Sequence, residues 1–209
     1  MKSTMRRAIL WSIILVGAGG GITAQTPPQQ PPPPRGQMPD LGRPTKHDDT
    51  LPLFDFDAYF LGKWTFEWDM PEGPLGPAGR LEGTTVYSSL GGGKYQALTD
   101  ATGPSGKVTI KEVFTYQREQ KTVSRDVTDS RGYSYSQTGT IGGDLGGIYN
   151  LFFESGPVTI GGTPVRLKHL LRLTSPFSYR VSATVSVNDG PFTNYGTPWW
   201  RKVPAAGLR

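Results

Sequence analysis

The chain of 209 residues has no cysteine. Disulfides, thiolate metal sites, a cysteine nucleophile and a lipidated N-terminal cysteine are therefore excluded, and stability must come from burial of a core. Histidine is nearly as scarce, with only His47 and His169. No apolar run reaches the roughly 20 residues that a membrane-spanning helix needs. The longest, Ala8 to Val16, is interrupted by Ser12 and then diluted by glycines from Gly17 onward. Catalytic signatures are missing as well: there is no Gly-x-Ser-x-Gly elbow, no His-Glu-x-x-His, no phosphate loop and no dinucleotide fingerprint.

Positive charge is less abundant than a net charge of +5 implies. Met1 to Arg7 carries Lys2, Arg6 and Arg7 without an acid, the apolar run follows, and small residues lead to Ile22-Thr23-Ala24. This is the order of a secretory signal peptide over residues 1–24, with cleavage expected after Ala24. Three of the 22 basic residues lie in that leader, and the remainder nearly balance the 17 acids. No basic run or stripe survives, so nucleic acid is not an expected partner. Export places the chain in the periplasm or medium, with no stable transmembrane anchor after cleavage.

Between Gln25 and Pro52 lie nine of the 19 prolines, including Pro31 to Pro34. A segment of this composition cannot bury enough apolar surface to offset its ordering entropy, so residues 25–52 are expected to be a solvated, disordered linker. His47-Asp48-Asp49 falls within it and is read as solvated, since floppy ligands with no supporting shell bind metal weakly.

After Leu51 the texture changes. In "LFDFDAYF", Asp55 is placed to cap a short helical turn with Phe56, Tyr59 and Phe60 on one face. Everything beyond alternates with period two. Runs are expected at about 63–70, 80–89, 94–101, 107–117, 121–129, 132–141, 147–155, 163–174, 178–188 and 193–203. Turn signals separate them, among them Gly91-Gly92-Gly93, Pro104-Ser105-Gly106, Gly142-Gly143-Asp144 and Asn188-Asp189-Gly190. About ten short strands joined by tight turns predict an all-β, up-and-down barrel of antiparallel strands over residues 53–203, with a flexible tail at 204–209. A two-sheet sandwich would require longer connections.

The stretch "LGKWTFEW" puts Gly62, Lys63 and Trp64 at the start of the first strand, directly after the helical turn. It resembles the Gly-x-Trp signature of lipocalin-like (calycin) barrels. The whole layout resembles a domain of unknown function found in uncharacterised bacterial exported proteins. That resemblance implies that Trp64 plugs one end of the barrel, that Phe66 and Trp68 also face inward, and that a late basic residue, Arg201, stacks on Trp64. It also brings a haem alternative into view: nitrobindin-like barrels carry a longer Gly-x-Trp-x-Gly-x-Gly motif, and Phe66 and Trp68 stand where its glycines would be.

Alternation also sorts the polar residues that share a face with apolar ones. His169 lies on the same side as Val165, Leu167, Leu171 and Leu173. Arg125 sits between Val123 and Val127, Glu112 lines up with Ile110 and Phe114, and Tyr133, Tyr135 and Gln137 share one face. Such groups inside a barrel must satisfy one another, bind water or meet a ligand. Each alone reads first as a member of a structural network; together they mark an interior ligand-binding site. The leading expectation is a noncatalytic exported barrel, without a resident cofactor, that binds a small, largely apolar molecule, or a protein partner at its rim. The alternatives are a haem barrel with His169 as axial ligand, and a small barrel enzyme using Glu112 and His169.

Overall fold

A computed structural model describes residues 53–204, apart from 145. The expected leader, linker and His47-Asp48-Asp49, together with residues 205–209 of the tail, lie outside those residues. The described chain begins with helix α1 (Phe56–Phe60). Asp55 caps it by accepting a bond from the Ala58 amide at 3.0 Å, which satisfies one otherwise orphaned donor. Leu61 is already extended, and Gly62 follows at φ +114°, a conformation that disfavours any residue with a Cβ. This glycine turns the chain from helix into strand.

Twelve strands follow: β1 (Gly62–Met70), β2 (Gly79–Gly91), β3 (Lys94–Gly103), β4 (Gly106–Gln117), β5 (Thr122–Asp129), β6 (Tyr133–Gly143), β7 (Tyr149–Ser155), β8 (Val158–Ile160), β9 (Thr163–Ser175), β10 (Ser178–Val187), β11 (Thr193–Asn194) and β12 (Trp199–Lys202). β1 to β7 pair in sequence as an antiparallel meander; β7 pairs with β9, β9 with β10, β10 with β12, and β12 returns to β1. The ring closes as a ten-stranded antiparallel lipocalin-like barrel, with β8 added to β9 and β11 added to β10. The expected runs recur as barrel strands, with one break. The expected run 193–203 divides into β11 and β12, because Pro198 has no amide to donate and Gly196 adopts φ +109° against the Trp68 indole.

One end is packed solid by aromatic rings. Phe54, Phe56 and Phe60 enter it beneath Tyr95, Phe114, Tyr116 and Tyr149. Phe56 stacks on Tyr95 with ring centres 4.0 Å apart. Trp64 is fully buried among them, and its Nε1 donates to the carbonyl of Phe60 at 2.7 Å. Trp64 thus closes this end as expected, with Phe66 buried and Trp68 partly buried beyond it.

The expected Arg201 partner requires correction. β12 pairs with β1 so that Trp64 lies opposite Lys202 and Thr65 opposite Arg201. Successive side chains alternate between faces, so Arg201 is exposed, whereas Lys202 places its Nζ 5.2 Å from the Trp64 ring. Lys202 also donates to the carbonyl of Ala58 at 3.3 Å.

At the other end the loop between β1 and β2 folds over the barrel. Gly73 and Gly76 exchange backbone bonds of 3.1 and 3.0 Å, and the turn between them drives Leu75 into an apolar cluster with Tyr133, Val165, Leu167, Val185 and Tyr195. Gly73 lies flat on the Tyr195 ring, where a Cβ would come within 2.6 Å of a ring carbon. Arg131 fastens the loop by donating from Nη1 to the Leu75 carbonyl at 2.7 Å. Asp129 orients that guanidinium through bonds of 2.9 and 2.7 Å, a bidentate carboxylate clamp.

Candidate functional site

The barrel interior between its two ends carries the polar side chains. Three neighbouring strands and β9 bring together residues far apart in sequence: Glu112 from β4, Arg125 from β5, Gln137 from β6 and His169 from β9. Arg125 and Gln137 are directly opposite in register. Arg125 donates from Nε to Gln137 Oε1 at 2.8 Å and from Nη1 to Glu112 Oε1 at 2.9 Å. Its guanidinium also lies 4.7 Å from the centre of the Phe153 ring. Gln137 is only 1% exposed and Arg125 7%, so these bonds offset a substantial desolvation cost.

Gln137 does a second job. The β7–β9 ladder ends at the pair Glu154 and Lys168. Next along β9, the Leu167 amide donates to Ser155 Oγ at 2.9 Å and the Leu167 carbonyl accepts from Gln137 Nε2 at 3.0 Å. Two side chains thus replace a backbone ladder where the sheet splits.

Hydrogen counting also assigns the histidine tautomer. Gln137 Nε2 has two hydrogens; one goes to Leu167, and His169 Nδ1 lies 3.1 Å away to take the other. Were Nδ1 protonated, it would donate to Gln137 Oε1 at 3.2 Å, and a buried amide hydrogen would be stranded. This count favours the tautomer with the proton on His169 Nε2. Burial first, and then the Arg125 charge, hold the imidazole well below its usual range, so it is neutral at neutral pH. Burial raises the Glu112 carboxyl against the opposing pull of Arg125. Burial likewise pushes the Tyr135 phenol up to about 12.

A cavity of about 90 Å³ opens onto this network. Its apolar wall includes Phe66, Ile110, Leu171 and Trp200. Trp200 lies parallel to Phe66 on one side and to Tyr179 on the other, at interplanar angles of 13° and 8°. Glu112, Arg125, Tyr135 and His169 all line the same cavity. Among the described residues, the second Nη of Arg125, the second oxygen of Glu112, Nε2 of His169 and the Tyr135 hydroxyl have no hydrogen-bond partner, and none of them is sealed from solvent-sized space.

Of the expected site residues, Arg125, Glu112, Gln137 and His169 thus form one network, and Tyr135 shares their cavity. Tyr133 stacks on Tyr135 and lines the same cavity toward its mouth, where the Arg131 guanidinium lies 5.2 Å from its ring. Residues outside the expected set complete the interior: Thr85 and Thr99 share a 2.8 Å hydroxyl bond, and Tyr87 and Tyr179 one of 2.9 Å. The same alternation that picked out Arg125 also points Thr85, Thr99 and Asp129 inward. Their pairings depend on which strands become neighbours.

No protein-family model matches the chain, and no curated protein matches it. Solved structures do. The crystal structure of Rv2717c from M. tuberculosis aligns with a TM-score of 0.57 at 14% identity, over 69% of this chain and 93% of that one. A de novo designed fluorescence-activating β-barrel aligns with a TM-score of 0.42 at 14% identity, over 72% of this chain and 100% of that one. A redesigned barrel bound to DFHBI aligns with a TM-score of 0.38 at 11% identity, over 71% and 100% of the two chains. The likeness to Rv2717c establishes the lipocalin-like barrel as a shared fold.

A haem with His169 as axial ligand does not fit this interior. Phe66, where the longer nitrobindin motif has glycine, stacks on Trp200 with ring centres 4.9 Å apart. The remaining cavity of about 90 Å³ is well below the roughly 300–1,000 Å³ of pockets that take drug-sized molecules. Among the described residues, no group of three or more His, Asp and Glu is placed to hold a metal ion, and no helix is long and apolar enough to cross a membrane.

Proposed function

We propose that this protein is an exported, noncatalytic lipocalin-like barrel that holds a small molecule in its interior. The observation that carries this reading is the cavity over the Arg125 network: an aromatic wall faces four polar groups that retain hydrogen-bonding capacity the protein itself does not use. Such groups need water or a ligand, and a mostly apolar pocket with a few placed polar groups is the usual form of a small-molecule site. In this reading Phe66, Ile110, Leu171 and Trp200 hold the body of the ligand, and Arg125, Glu112, Tyr135 and His169 orient its polar end. The Leu75 loop closes the mouth. Export rests on the leader pattern of residues 1–24 and places the barrel in the periplasm or medium.

Acid–base chemistry by Glu112 and His169 has less support. Each is tied to a different member of the network, Glu112 to Arg125 and His169 to Gln137, and both ties hold the groups as orienters. Native mass spectrometry of protein purified from its own host tests the binding reading. The expected result is a noncovalent adduct that is lost on denaturation; a bare chain mass under gentle conditions would overturn it.

A further inference from the structure

Resting on that reading, we infer that the ligand is an uncharged, planar molecule carrying a hydrogen-bond donor and an acceptor on one edge, a lactam or primary amide.

Complementarity comes first. Arg125 and Glu112 are joined by a single 2.9 Å bond, and each then has one hydrogen-bonding atom left over: a donor on Arg125 and an acceptor on Glu112. Both side chains line the cavity. A group that accepts and donates along one edge satisfies both at once. An ether or ketone only accepts, and so leaves the free Glu112 oxygen without a donor, at the cost that buried polar groups pay when unpaired.

Charge is the second argument. The interior holds Arg125 paired with Glu112, and Asp129 paired with Arg131, so its two cations already face two carboxylates. His169 and the tyrosines enter as neutral donors or acceptors. A carboxylate or ammonium ligand would bring an uncompensated charge into a buried site, which is far costlier than bringing a neutral dipole.

Shape is the third. The Phe66, Trp200 and Tyr179 rings stack on one another, so the cavity meets a row of ring edges. The space of about 90 Å³ equals roughly three waters at ~30 Å³ each, the scale of one small ring. A flat ring can meet such edges edge-to-face, an arrangement that adds to area burial.

The test uses the whole mature protein and a series of single-ring probes in isothermal titration calorimetry: 2-pyridone with both edge groups, pyridine with an acceptor only, benzene with neither, and benzoate as an anion. The expected result is 2-pyridone binding at least tenfold tighter than the other three. Glu112→Gln keeps the shape, turns the free acceptor into a donor and should weaken 2-pyridone at least tenfold. A thermal melt shows whether that variant folds, and if it does not, the probe series on the wild-type protein decides alone. Pyridine, benzene or benzoate binding as tightly as 2-pyridone would overturn the ligand class and leave interior binding standing. Binding of no probe also overturns the class, and interior binding falls with it only if native mass spectrometry finds no adduct either.

Discussion

Gln137 donates from Nε2 to the main-chain carbonyl of Leu167 across 3.0 Å, so that a side chain does the work of a missing strand bond. The same amide holds His169 and accepts from Arg125, so one residue couples the sheet split to the interior network.

Replacing Gln137 with leucine should therefore cost more than one hydrogen bond. The Leu167 carbonyl, Arg125 Nε and His169 Nδ1 each lose a partner, at about 1–3 kcal/mol for a buried group left unsatisfied. Urea denaturation should show a lowered midpoint. Ser155→Ala, which removes the acceptor for the Leu167 amide, should selectively speed hydrogen exchange at Leu167. A Gln137→Leu midpoint equal to that of wild type would mean the split is bridged by other means.

Truncating the plug should be among the most damaging single changes. Trp64→Ala is expected to cost about 3–5 kcal/mol. Lys202→Ala removes a partly solvated cation–π contact and an exposed 3.3 Å bond to the Ala58 carbonyl, and should cost about 1 kcal/mol. Arg201→Ala should have no effect on the environment of Trp64, whereas Lys202→Ala should shift its fluorescence. The reverse order would place Arg201 on the indole and break the observed register.

The two buried titratable groups of the network predict opposite responses to pH. His169 is held well below 6.5, so on acidification the unfolded chain takes up a proton that the folded chain refuses. Its contribution is full above about pH 6.5 and is lost as pH falls below that value. Glu112 is raised above 4.5, so the folded chain keeps its proton longer than the unfolded one, and stability falls as pH rises from about 4.5 toward the folded value. Denaturation midpoints of wild type, His169→Leu and Glu112→Gln across a pH series check both signs. A constant difference between wild type and His169→Leu below pH 6.5 would show that the imidazole charges freely in the folded state.

The loop over the mouth depends on Arg131. Arg131→Ala removes the bond to Leu75 and leaves Asp129, a buried carboxylate, without its clamp, at about 3 kcal/mol or more. The amides of Gly73 and Gly76 should exchange faster, and acrylamide should quench Trp68 more readily. Unchanged exchange at both glycines would show that the Gly73–Gly76 bridge and the Leu75 packing suffice to hold the loop.

For the proposed export, intact-mass measurement of the protein from its host should give a chain starting at Gln25. A mass that includes residues 1–24 would overturn the leader assignment.

What the sequence determined by itself is local. Asp55 capping a short helix, glycine-rich turns and period-two alternation depend on near neighbours along the chain, so the strands, the barrel class and the inward side of Glu112, Arg125, Gln137 and His169 were all readable. Only the tertiary structure decided which side chains meet. Alternation on "WWRKV" separates Arg201 from Lys202 but does not say which one faces Trp64; that follows from the β12–β1 register, which is set when the ring closes. Gln137 bridges to Leu167 because the β7–β9 ladder stops beside it, and Leu75 seals the mouth because Arg131, more than fifty residues away in the chain, reaches its carbonyl. The size of the interior was hidden for the same reason: it depends on how Phe66, Trp200 and Tyr179 stack across strands that are neighbours only in the folded barrel.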